Sequence, residues 1–174
     1  MKPFDADRFR ASARETKPKL GRPLMYQAVT GSTNDDALAA ARSGAPHGSV
    51  FVADEQTAGR GRRGNSWLAA PGESLLFSVI VRPELELAQA SALTLSIGLA
   101  LRDATLPLVA PSDSVQIKWP NDLYVNGKKL AGILLESQLQ GERLQAVVIG
   151  VGLNVATRDF PQEIAARATS LSLL

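Results

Sequence analysis

Asn126-Gly127 sits between DLYV and KKLAGILLES, and no other feature of the chain restricts its fold as much. The pair supplies two residues that tolerate positive φ, as a two-residue hairpin turn requires, so the segments on either side are expected to be antiparallel neighbours. Further strands are expected in LMYQAV, in SVFVADEQ, in the apolar run ESLLFSVIVR that Pro83 ends, in VQIKW and in LQAVVIGVGLNV. Between the first two lies GSTNDDALAAARSG, where Ser32 or Thr33 is placed to cap a helix carrying Asp35 and Asp36 in its first turn and Gly44 at its end. Residues 87–106 have the small and aliphatic side chains of a helix packed on a sheet, and residues 5–14 and 160–168 also read as helical. Hairpin-linked strands mixed with helices give an α+β fold, a mixed and mostly antiparallel β-sheet with helices packed on one face.

Composition bounds what such a sheet can serve. With 174 residues, 45% of them hydrophobic, the chain can bury one core, expected over residues 24–174 behind an N-terminal extension of residues 1–23. The 19 basic and 17 acidic residues leave a formal charge of only +2, which argues against a general coat for nucleic acid. Cysteine is absent and His47 is the sole histidine, so disulfides, thiolate metal sites, thiol catalysis and a histidine-built zinc site are all excluded. The N-terminus carries no apolar signal core, and the longest apolar-rich stretch, residues 92–101, is too short to span a bilayer. A cytoplasmic protein with no membrane partner is expected.

Against this balanced background TAGRGRRGNSW, residues 57–67, concentrates three arginines and three glycines. Gly59, Gly61 and Gly64 let the backbone approach a ligand closely, and Arg60, Arg62 and Arg63 add charge, so the loop suits either nucleic-acid phosphates or a lid over one small anionic ligand. The plainer alternative is a solvated turn. Neither a Walker-type phosphate loop nor a dinucleotide fingerprint occurs. In QIKWPNDL, Lys118 lies at a strand end beside Trp119-Pro120, either as an exposed charge or as an ammonium that neutralises a carboxylate and a phosphate as they join. Asn121 and Asp122 read as turn-formers. Ser32, Thr33 and Asn34 are helix caps or, with Gln56, a polar set able to hold a neutral urea or amide head.

Four segments, GSTN at 31–34, EQTAGRGRRGNSW at 55–67, KWPNDLYVNGKKLAGILLE at 118–136 and VVIGVGLNV at 147–155, occur in this order, and together they resemble the biotin–protein ligases. The similarity runs over about residues 24–172. It implies a catalytic domain with a mixed sheet flanked by helices, and a reaction in which biotin and Mg-ATP give biotinyl-5′-AMP before a lysine of a biotin carboxyl carrier protein takes the biotinyl group. By the same resemblance Ser32, Thr33 and Gln56, with Asn34 adjacent, would hold the ureido head; Arg60, Gly61 and Arg62 would close on the valerate and phosphate; and Lys118 would bridge carboxylate and α-phosphate. Trp67 would wall the tail, Gly132 would keep the floor open, and Asn154 would lie on the nucleotide side. No magnesium ligand stands out.

The family pattern also has parts not matched in this sequence. Few residues precede LMYQAV, so a DNA-binding winged helix is not expected, and the small C-terminal β-barrel domain usual in the family has no counterpart before ATSLSLL. A homodimer is compatible with the family. A lipoate or octanoate ligase or transferase is the nearest rival, and a nucleic-acid-binding module using the basic loop is a distant one. The polar head set speaks against a purely aliphatic acyl chain. With 5% aromatic residues and none interleaving the arginines, stacking platforms for bases are missing.

Overall fold

A continuous seven-stranded sheet organises the structure, a computed structural model that describes residues 3–16, 20–84, 90–140 and 143–174. After a first helix, α1 (Ala6–Thr16), the chain forms β1 (Leu24–Thr30), α2 (Thr33–Arg42) and β2 (Val50–Gln56). Because α2 carries the chain back across the sheet, β1 and β2 pair in parallel; the remaining pairs are antiparallel. β3 (Ser74–Val81) leads to α3 (Ala90–Thr105), then come β4 (Val115–Lys118), β5 (Asp122–Val125), β6 (Lys128–Gln140), β7 (Arg143–Asn154) and the short α4 (Gln162–Ala165). Their order across the sheet is β1-β2-β3-β7-β6-β5-β4.

The turn expected at Asn126-Gly127 is present. Asn126 and Gly127 take φ of 50° and 77°, and the hairpin they close pairs Val125 with Lys128 and Tyr124 with Lys129. Further along, β6 carries one residue more than β5: Tyr124 pairs with Lys129 but Leu123 with Ala131, leaving Leu130 as a bulge. Gly44, at φ 87°, follows the end of α2 as expected. Neither Ser32 nor Thr33 caps α2 in the usual way. Ser32 holds the capping position with extended backbone but makes no side-chain cap bond, and the Thr33 N–H donates instead to Gln56 Oε1, 2.7 Å away on β2. Residues 87–89 of the expected third helix lie outside the described residues.

The class matches expectation, whereas the helices occupy two faces of the sheet and not one. Phe51, Ile80, Ala146 and Val148 pack under Ala37 and Ala41 of α2. Their sequence neighbours Val50, Val52, Val79, Val147 and Ile149 face the other way, onto Leu93, Ile97 and Leu101 of α3 and onto Phe4. The reason lies in β7. Its residues 146–154 are all buried, so the strand alternates between two covered faces and not between core and water.

Candidate active site

α2 covers only part of its face. Where its N-terminus stops, three glycines, Gly132 on β6 and Gly150 and Gly152 on β7, remove side chains from the sheet, and a cleft of about 340 Å³ opens above them. Pairing places Gly132 beside Gly152 and Leu134 beside Gly150, so the floor is two adjacent strands wide. A Cβ on Gly150 would collide with the Asn34 carboxamide and one on Gly152 with the Trp67 indole, which lies directly on the floor. Trp67 Nε1 is buried without a hydrogen-bond partner, an unsatisfied donor inside the cleft.

At one end stand Ser32, Thr33, Asn34 and Gln56, all lining the cleft. Thr33 commits both its N–H (2.7 Å) and its hydroxyl (3.0 Å) to Gln56 Oε1, which turns the Gln56 amide nitrogen away as a spare donor. Ser32, 2% exposed and free of any capping bond, leaves its hydroxyl for a ligand. Polar groups that can accept and donate side by side therefore converge here, as a urea or amide head requires.

The basic loop crosses the mouth of the cleft. Its ends are clipped together by Trp67 N–H to Gly59 O (2.9 Å), Gly61 N–H to Asn65 O (2.7 Å) and an antiparallel bridge between Arg60 and Ser66. Arg63, at φ 57°, and Gly64, at φ 76°, turn its exposed tip. From the tip Arg62 Nη1 reaches Asn121 Oδ1 on the opposite rim at 3.2 Å, and Arg60, Gly61, Arg62 and Arg63 all line the cleft.

Two of the expected site residues do not line the cleft. Lys118 donates to the Tyr124 hydroxyl at 3.3 Å, with its ammonium 4.7 Å from the ring centroid. Asn154 is buried at the end of β7, its amide donating to Thr169 O (3.0 Å) and its Oδ1 accepting from Ser74 (3.5 Å). The ammonium at the floor belongs to Lys129. Lys129 Nζ makes an ion pair with the buried Asp122 Oδ1 at 2.8 Å, too oblique for a regular hydrogen bond, and stands 5.5 Å from the Trp67 ring. The bulge at Leu130 explains this placement: Lys129 and Gly132 are three apart, which in a regular strand puts them on opposite faces, and one extra residue brings both to the cleft.

Lys129, Asp122 and Asn121, which line the cleft, were not singled out as ligand-facing from sequence. A signal for Lys129 was available. A two-residue turn at Asn126-Gly127 pairs Tyr124 with Lys129, and so puts Lys129 on the face of Tyr124 and Asp122, opposite the buried Leu123 and Val125. A cleft with a polar head end, a glycine floor under an indole, an ammonium held by a carboxylate and an arginine loop over the top can bind an elongated amphipathic acid and concentrate positive charge on its carboxylate.

Comparison with known proteins agrees with that chemistry. The profile of the Biotin/lipoate A/B protein ligase family matches residues 26–154. A biotin–[acetyl-CoA-carboxylase] ligase of Mycobacterium tuberculosis is 46% identical over 153 residues, 86% of this chain and 55% of that protein. The bifunctional ligase/repressor BirA of Bacillus subtilis is 41% identical over 155 residues, 88% of this chain and 47% of its own. Among solved structures, the biotin protein ligase of Aquifex aeolicus in complex with biotin and ATP superposes with a TM-score of 0.65 at 35% identity, covering 86% of this chain and 60% of that one. That of Leishmania major in complex with biotinyl-5-AMP gives 0.71 at 30%, covering 86% and 63%. The chain spans about half the length of the curated relatives it matches. With the profile matched over most of its length and the cleft at the centre of the matched region, the chain belongs to the biotin/lipoate A/B protein ligase family.

Proposed function

We propose that this chain carries the catalytic domain of an ATP-dependent biotin–protein ligase, over residues 24–174. The observation that supports it most is the pairing, in one cleft, of the Ser32/Thr33/Gln56 head end with the Lys129 ammonium above the glycine floor. Biotin's ureido head would meet the Ser32 hydroxyl and the Gln56 amide, with Thr33 and Asn34 holding those groups in place. Its ring and valerate would lie against Trp67 over Gly132 and Gly152. Its carboxylate would reach Lys129, the role that the resemblance alone gave to Lys118.

In the first step a carboxylate oxygen attacks the α-phosphorus of ATP; the acyl–phosphate bond forms, the bond to the β-phosphate breaks and pyrophosphate leaves. Positive charge from Lys129 and Arg62 would offset the negative charge that builds as two anions meet. In the second step the ε-amine of a carrier-protein lysine attacks the acyl carbon, AMP leaves, and the amine's proton is released. Between steps the loop of residues 59–67 would keep the adenylate from water. Magnesium belongs to this reading as the counterion of ATP. Among the described residues no group of three or more His, Asp or Glu is placed to hold a metal, and no residue is assigned to the ion. The partner is a biotin carboxyl carrier protein. A cytoplasmic setting belongs to the same reading; among the described residues no helix is long and apolar enough to cross a membrane.

Calorimetric titration with desthiobiotin and with octanoate tests the head site. Desthiobiotin, which keeps the urea, should bind, and octanoate should bind at least about 100-fold more weakly, because it leaves the buried polar set unpaired. Equal affinities would move the assignment to a lipoyl-type ligase.

A further inference from the structure

Arg60 is the first arginine of the loop, yet its charge is already spent inside the protein. Its Nη1 donates to Glu136 Oε1 at 2.9 Å and its Nη2 to Glu136 Oε2 at 2.6 Å, a two-pronged pair, while Nη2 also lies 2.7 Å from Asp35 Oδ1. One guanidinium faces two carboxylates, so this cluster carries no surplus positive charge for an anionic ligand. Arg62 and Arg63 form no salt bridge among the described residues.

Glu136 does more than hold one arginine. On β6 it lies four residues beyond Gly132 and so on the cleft face. Its Oε2 also accepts from Asn34 Nδ2 at 2.8 Å. The other end of that carboxamide, Asn34 Oδ1, accepts from Ser78 Oγ at 2.6 Å; Ser78 Oγ in turn lies 2.8 Å from Thr33 Oγ1, and Thr33 is bound to Gln56. An unbroken chain of polar contacts thus runs from the loop through Glu136 to the head end. The loop itself is clipped shut at its base, and Arg60 fastens it to Glu136 and Asp35 on one side as Arg62 fastens its tip to Asn121 on the other.

We propose that Glu136 is a positioning residue: it pins the loop through Arg60 and ties the loop's tilt to the Asn34–Ser78–Thr33–Gln56 network that reads the ligand head. The Arg60 guanidinium is then an anchor, and Arg62 supplies the charge. The pin is read from contacts within the chain, whereas its effect on biotin and ATP rests on the function proposed above.

The test compares wild type with Glu136→Gln, Glu136→Asp and Glu136→Ala. Hydrogen exchange without ligand should show the Gly61 and Trp67 amides exchanging about 10-fold faster in Glu136→Ala, with the β3 and β7 amides unchanged. Glu136→Gln keeps an acceptor for Asn34 but loses the charge that holds Arg60, and should loosen the loop nearly as much; Glu136→Asp should restore part of the protection. In pyrophosphate release with biotin and ATP, KM for biotin should rise about 10-fold in Glu136→Gln while kcat falls less than about 3-fold. Loop exchange unchanged in Glu136→Ala, or faster exchange spread evenly over loop and sheet, overturns the pin. Exchange that changes as stated in a protein with no response to biotin would uphold the pin and reject the ligase reading.

Discussion

The region beneath α2 and the region beneath the cleft lie on one face of the sheet and share β7, and along that strand they differ by a few side chains. Under α2, β7 presents Ala146 and Val148, both 0% exposed and packed on Ala37, Ala41 and Ile80. Two and four residues beyond Val148, on the same face, it presents Gly150 and Gly152. A helix covers the first region, and a bound acid is proposed to cover the second. The cleft is therefore made by leaving side chains out of a strand that is rigid because its other face stays packed, which places the ligand on regular structure and not on loops.

That comparison can be broken by exchanging the character of the two regions. The largest effect is expected from Gly152→Val, which forces the Trp67 indole off the floor. Overpacking of this kind costs about 1–3 kcal/mol, so biotin affinity measured by calorimetry should fall up to about 100-fold. Gly132→Ala is milder, because the added Cβ would meet the edge of the indole at 2.9 Å and the Lys129 ammonium at 3.2 Å, and the latter sits on a flexible chain. A loss of about 10-fold is expected. The smallest effect on binding belongs to Val148→Ala in the covered region: it should lower stability to denaturant by roughly 2 kcal/mol with biotin affinity unchanged. If Val148→Ala weakens binding as much as Gly132→Ala, the two regions are not separable.

Which parts were legible in the sequence follows from how local each cause is. The Asn126-Gly127 turn, the end of α2 at Gly44 and the strands were readable because a few neighbouring residues determine them. The two-faced placement of helices was also present in principle, in the unbroken apolar run AVVIGVGL, but a run of that kind does not say which helix covers which face. The loop stood out by its arginines and glycines alone, whereas for Ser32, Thr33, Asn34 and Gln56 the residues left capping and ligand-holding roles open and the resemblance favoured the second. The turn alone sets the face of Lys129, but its alignment with Gly132 depends on the bulge at Leu130, and a bulge leaves little trace in residue types. Glu136 was invisible for a different reason: its partners Arg60 and Asn34 are 76 and 102 residues away in the chain, and nothing local connects them.

Which lysine meets the carboxylate fixes where in the cleft activation occurs. Pyrophosphate release with saturating biotin and ATP should be compared in Lys129→Ala and Lys118→Ala. Removing one positioned charge from the reacting centre costs roughly 10²- to 10³-fold in rate, which is expected for Lys129→Ala, with at least about tenfold less effect for Lys118→Ala. A Lys129→Ala protein that releases pyrophosphate at the wild-type rate, beside a Lys118→Ala protein that has lost the reaction, would contradict the placement of the chemistry over the glycine floor.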